Sequence, residues 1–150
     1  MELFRISAEK YANKLSSSGS ANRWNKSKQF VIYTGSSRSL SSLELVVHRS
    51  SIKPSLVYKV MIIYVPDKEE LYNQVALKNL PKNWRSIRTY PILQEIGSNW
   101  YEKKETLILK IPSAIIPQEY NYIINTSHPD FEKNVKLIDT ENYFWDSRLF

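Results

Sequence analysis

Glu44 is the side chain in this sequence whose chemistry most needs an explanation. A helix over residues 39–49 puts Leu40, Leu43 and Val47 on one face, and Glu44 completes the same i, i+3, i+4, i+7 stripe. A carboxylate on an apolar face is costly to bury unless something pairs with it. Two readings follow: a half-buried salt bridge to an arginine, or a catalytic carboxylate held in a cleft. Arg23-Trp24-Asn25 sits in a polar stretch just ahead of a strand. By itself the triplet reads first as a solvated loop arginine beside a half-buried tryptophan. Its other reading is a rigid fork of donors for phosphate. Tyr33, eleven positions before Glu44, offers either core packing or a flat face to a planar ring. Ser113, within Pro112-Ser113-Ala114, is either the cap of a turn or a hydrogen-bond donor at a strand end.

Other chemistries are excluded or unsupported. The chain has 3 glycines, Gly19, Gly35 and Gly97, and no GxGxxG or P-loop can be written with them. His48 and His128 are too far apart in sequence for a His-x-x-x-His metal motif. The absence of cysteine removes disulfides, thiolate zinc sites and a cysteine nucleophile together. A Ser-His-Asp triad is compatible with the composition, but no Gly-x-Ser-x-Gly elbow supports one.

The elements that must position these residues follow from periodicity and breakers. Strands are expected at residues 2–6, 29–34, 55–65, 106–111, 121–124, 135–139 and 143–144, where β-branched and aromatic runs are bounded by turn residues. Helices are expected at 8–15, 39–49, 68–80 and 89–103. Ser36, Ser37 or Ser39 supplies the N-cap of the second, and Pro81 stops the third. Residues 16–28, rich in Ser and Asn, read as a loop. Strands and helices mix without a regular βαβ beat, which favours an α+β fold over a doubly wound sheet.

Length and composition set the frame. At 150 residues the chain is expected to form one domain over 1–150, large enough to bury a core without staples. The net charge of +6 suits either solubility or an anionic partner. Lysines and arginines are spread without a dense block, so a nucleic-acid tail is not indicated. Residues 1–10 contain no apolar h-region, and the longest apolar run, 60–65, is too short to span a bilayer. The expectation is a cytoplasmic protein without membrane attachment.

Taken in order, the motifs resemble the RES domain family, named for arginine, glutamate and serine. Phe4-Arg5 resembles its opening aromatic-arginine pair, and Arg23-Trp24-Asn25 its Gly-Arg-Trp-Asn loop. Tyr33, Leu43-Glu44 and Val47-His48 look like its strand-turn-helix signature. Leu80-Pro81, Trp84, Tyr90-Pro91 and Gly97-Ser98-Asn99-Trp100 resemble its middle section. Ile111-Pro112-Ser113-Ala114, Asn121, Asn125 and His128-Pro129-Asp130-Phe131 resemble its late block, and Trp145-Asp146-Ser147-Arg148-Leu149 its closing motif. Ala21 and Asn22 stand where glycines are expected, and Thr126 where a proline is expected.

The resemblance implies a fold similar to ADP-ribosyltransferases, a mixed, split β-sheet with flanking helices. It implies a toxin of a toxin–antitoxin system that cleaves the nicotinamide–ribose bond of NAD as a hydrolase or phosphorylase, depleting cellular NAD. The alternative is a protein ADP-ribosyltransferase that uses NAD as donor. It also implies a cognate antitoxin with a helix-turn-helix domain, so that DNA is met only through that partner. On this reading Glu44 stabilises charge on the ribose, and Arg5 and Arg23 hold the pyrophosphate. Tyr33 stacks on or lines the nicotinamide, and Ser113 orients the ribose or a side chain near it. Asn125 helps to bind the nucleotide, and no metal takes part. A rival of another class is a basic nucleic-acid-binding module, suggested by the charge and the 13% aromatics. A further rival is a noncatalytic scaffold, against which the retained Arg, Glu and Ser argue.

Overall fold

The computed structural model describes residues 1–49, 52 and 55–149. Its strands are β1 (Glu2–Ala8), β2 (Val31–Gly35), β3 (Tyr58–Tyr64), β4 (Tyr72–Gln74), β5 (Ile108–Pro112), β6 (Tyr120–Asn125) and β7 (Lys136–Asn142). The helices are α1 (Arg38–His48), α2 (Tyr90–Lys103) and the single-turn α3 (Phe131–Asn134). The strands form one mixed sheet in the order β4-β5-β6-β2-β1-β3-β7. Only β4 and β5 pair in parallel among the described strands. This is the expected α+β architecture.

The sheet is split. β1 and β3 pair along their whole length, from Glu2↔Tyr64 to Ala8↔Tyr58. β2 and β6 pair from Val31↔Asn125 to Gly35↔Asn121. Between the two halves β1 and β2 share only the pair Phe4↔Gly35. Side-chain alternation then sorts the core. Leu3, Ile32, Met61, Ile63, Ile108 and Ile124 fill one cluster. Val31, Leu109, Ile111 and Ile123 meet Trp24, Trp84, Leu93 and Trp100 in another, where α2 covers the sheet. β2, β5 and β6 therefore have apolar residues on both faces, which is why they read as near-continuous hydrophobic runs.

Several expected elements change identity. The helix at 68–80 is instead a 3₁₀ turn (Glu69–Leu71), the strand β4 and a second 3₁₀ turn (Leu77–Asn79). The edge of β5 offers unpaired backbone groups, and Tyr72–Gln74 takes them up, with Val75 N–H donating to the Lys110 carbonyl at 2.9 Å. Pairing at an open edge outweighs a local helix preference there. The helix at 8–15 shrinks to one 3₁₀ turn, Glu9–Tyr11, for which Ala8 supplies no side-chain cap. Of the two late strands expected, only the first forms, as β7, which runs on to Asn142; residues 143–144 are not strand. Tyr143 lies beyond β7, edge-on to Trp145 with ring centres 4.6 Å apart. Among the described residues no helix is long and apolar enough to cross a membrane.

Candidate functional site

Glu44 owes its place to a glycine. Gly35 ends β2, and the chain turns at once into α1, with the Ser37 hydroxyl accepting from Leu40 N–H at 3.0 Å as the N-cap. α1 packs on β1 and β2 and so lies across the seam of the split sheet. A Cβ at position 35 would overlap the Ser41 hydroxyl, which instead donates to the Phe4 carbonyl at 3.0 Å. The bare backbone at Gly35 lets the helix settle onto the sheet. The cross-strand row Gly35–Asn121–Ile111 runs beneath it. The predicted apolar stripe is corrected at its far end. Val47 is 58% exposed, and Ser41 is buried where the helix comes closest to Gly35.

Glu44 is held by neutral donors. Ser113 Oγ donates to its Oε1 at 2.8 Å, and Asn121 Nδ2 donates to the same atom at 2.6 Å. No salt bridge to Glu44 occurs among the described residues, so the arginine-paired reading is not realised. Its Oε2 accepts no hydrogen bond from the described residues. Ser113 is wholly buried, just past the end of β5. Its Oγ also accepts from Ile115 N–H at 3.1 Å and Ile116 N–H at 3.2 Å. With both acceptor positions taken, its proton has one place to go, the carboxylate. Ser113 therefore holds the Glu44 carboxylate through that bond.

Arg23 is presented by a locked turn. Asn22 and Asn25 exchange backbone hydrogen bonds of 3.1 and 3.3 Å, leaving Arg23 and Trp24 between them. Tyr33 Oη accepts from Trp24 N–H at 3.1 Å and donates to Asn25 Oδ1 at 2.6 Å. Asn25, itself buried, donates from Nδ2 to the Ser20, Lys26 and Gln29 carbonyls. Burial pushes ionisation of the Tyr33 phenol well above its ordinary range, outweighing the bond from Trp24, which favours the phenolate. The hydroxyl thus serves as a neutral clasp. On the far side, Gly97 of α2 lies so close that a Cβ would run into the Trp24 carbonyl.

The arginine head group rests over the Tyr90 ring at 4.8 Å, and its Nη1 donates to the Arg85 carbonyl at 3.0 Å. Arg5, on β1, donates from Nη1 to the Ser16 carbonyl at 3.2 Å, and burial lowers its pKa. Neither guanidinium is paired with a carboxylate among the described residues. Two cations with carbonyl partners but no counter-charge keep their attraction for an anion. Strand alternation places Arg5 with Leu3, on the opposite face from Phe4, the register partner of Gly35.

Asn125 is not brought to this group. It is wholly buried at the other end of β6, four residues from Asn121, or about 13 Å along a strand. Its Nδ2 donates to the Tyr101 carbonyl at 3.1 Å and its Oδ1 accepts from Ser127 N–H at 2.9 Å. The side chain is occupied in closing the turn after the strand. The reverse holds for Asn121, which the sequence showed only as one residue of a motif. An asparagine set between Tyr120 and the apolar run Tyr122-Ile123-Ile124 is the signal that could have marked it.

Comparison with known proteins gives the same outline. The RES domain family matches residues 2–146. The chain is similar to the Prs ADP-ribosylating toxin of Sphingobium sp., 34% identical over 142 residues that cover 92% of this chain and 88% of that protein. It is similar to Toxin Res of Pseudomonas putida, 31% identical over 153 aligned residues that cover 100% of both. Toxin Res of Photorhabdus laumondii is 29% identical over 153 aligned residues, covering 99% of this chain and 97% of that protein. A match over nearly the whole sequence, with the arginine, glutamate and serine of the motif all present and the last two in contact, places the chain in the RES domain family.

Proposed function

We propose that this chain is a toxin that breaks the bond between nicotinamide and ribose in NAD, its substrate. The observation that carries the proposal is the setting of Glu44: a half-buried carboxylate with no cationic partner among the described residues, fixed through one oxygen while the other takes no bond. Cleavage sends the bonding electron pair to the nicotinamide nitrogen, which becomes neutral, and leaves positive charge on the ribose. A negative charge held beside that ribose favours the transition state over the ground state. Oε2 is the oxygen available to a ribose hydroxyl. Ser113 and Asn121 keep the carboxylate from turning. Arg23 attracts the pyrophosphate, and Tyr33 fixes the turn that carries Arg23 while its ring borders the nicotinamide side; Arg5, on the other face of the sheet from Gly35 and Asn121, is left out of this contact.

With water as acceptor the products are ADP-ribose, nicotinamide and a proton. With inorganic phosphate they are nicotinamide and the phosphate ester of ADP-ribose. A second reading, transfer of ADP-ribose to a protein, is favoured by the name of the Sphingobium relative, an ADP-ribosylating toxin. An antitoxin partner follows from the toxin reading, and we propose that it carries a helix-turn-helix domain and covers the site.

The test is to mix the purified chain with NAD, with and without phosphate, and to separate the products by chromatography. Nicotinamide with free ADP-ribose or its phosphate ester supports cleavage. Nicotinamide with ADP-ribose attached to protein supports transfer. No nicotinamide from a folded chain, with phosphate and candidate target proteins supplied, would overturn the proposal.

A further inference from the structure

Arg85 joins the two ends of the site. Its backbone carbonyl receives Arg23 Nη1 at 3.0 Å. Its side chain reaches the other way, with Nε donating to the Ala114 carbonyl at 2.6 Å, one residue past the serine that holds Glu44. Arg85 is exposed, and among the described residues no carboxylate pairs with it. No side-chain bond other than that from Nε is made within the described residues, so both terminal nitrogens are unengaged.

A guanidinium tethered through Nε has lost most of its freedom but keeps its charge and its terminal donors. That combination suits two oxygens of one phosphate, and less ordering entropy remains to be lost on binding. A tie between two loops needs only one donor, which a neutral amide also supplies, and it leaves the two terminal nitrogens without a purpose. The Arg23 guanidinium touches the Arg85 backbone, the Arg85 guanidinium touches the Ala114 carbonyl beside Ser113, and among the described residues neither cation is neutralised. We infer that Arg85 is a second phosphate-binding residue of the dinucleotide site, so that the phosphates of the ADP-ribosyl group lie between Arg23 and Arg85. This rests on the reading of NAD as substrate.

The experiment compares steady-state NAD cleavage by the full chain with that of Arg85→Gln and Arg85→Lys, alongside the melting temperature of each unliganded protein. Glutamine keeps a donor for the Ala114 carbonyl and removes the charge; lysine keeps the charge. Loss of a charge-assisted contact to phosphate predicts a KM for NAD raised about 10- to 100-fold in Arg85→Gln. The same account predicts kcat within about threefold of wild type and partial recovery of KM in Arg85→Lys. A tie without ligand contact predicts the opposite pattern, with KM unchanged and any loss appearing in kcat and melting temperature together. Should Arg85→Gln fail to fold, Arg85→Lys carries the test, because a wild-type KM in a variant without the bidentate fork overturns the assignment. If the wild type itself releases no nicotinamide, the NAD reading fails. If it does and the KM of Arg85→Gln is unchanged, only the role of Arg85 fails.

Discussion

The Ser113 hydroxyl points its proton at Glu44, because two backbone N–H groups, those of Ile115 and Ile116, occupy the acceptor side of the same oxygen. The direction of this bond is set by the turn after β5 and not by the ligand. Ser113→Ala removes the donor and leaves Glu44 tethered by Asn121 alone. Nicotinamide release is expected to fall about 10- to 100-fold in kcat with little change in KM, in the manner of an interaction felt mainly in the transition state. Steady-state kinetics on the purified variant checks this.

Asn121→Asp replaces a donor to Glu44 by a second carboxylate at the same place, 2.6 Å from Oε1 in the native contact. Like charges at that separation repel strongly. Activity at neutral pH is expected to drop below that of Asn121→Ala, even though aspartate is the closer match in shape. Parallel assays of the two variants give the answer.

The approach of α1 to β2 can be tested by coupling. Gly35→Ala forces a methyl against the Ser41 hydroxyl, and overpacking of this kind costs about 1–3 kcal/mol. Ser41→Ala removes that hydroxyl together with its bond to the Phe4 carbonyl. In the double variant the clash is relieved, so the two losses should add to less than their sum by about 1 kcal/mol. Urea unfolding of the four proteins of the cycle measures the difference.

Not all of this geometry could be read from the chain. Glu44 was legible because a carboxylate on an apolar helical stripe contradicts its surroundings, and Arg23 because its motif has a recognisable neighbourhood. What Tyr33 does was not legible. Its hydroxyl closes a turn eight residues earlier, and that turn is seated by Gly97, more than seventy residues away in sequence. Asn121 and Asn125 look alike in the sequence of β6. Register alone decides that the first lies opposite Gly35, under α1, and the second opposite Val31, at the far end. The strand β4 was hidden for a similar reason, since its partner β5 comes more than thirty residues later.

The clasp at Tyr33 makes a prediction about alkaline stability. Its folded pKa lies well above the ordinary value near 10.0 because of burial, and that of Tyr72 is pushed up to about 12, again by burial first. Above pH 10 the unfolded chain therefore releases protons that the folded chain retains. Stability is full below that pH and falls as pH rises through the window between the two pKa values. For Tyr33 the limiting slope is about 1.4 kcal/mol per pH unit. Tyr33→Phe should flatten the decline. At neutral pH it should cost about 1–3 kcal/mol, because Trp24 N–H and Asn25 Oδ1 lose their partner. Denaturant midpoints between pH 8 and 11 (a range of about three units around the ordinary phenol pKa) test both statements.

The most direct test of the account is the rate of nicotinamide release from NAD by Glu44→Gln beside the wild type. Glutamine preserves the shape of the side chain and an oxygen for Ser113, and removes the charge. The account predicts a folded protein whose rate is lower by about 10²–10³-fold, the usual scale for loss of one well-placed electrostatic contact. A Glu44→Gln variant that consumed NAD as fast as the wild type would contradict it.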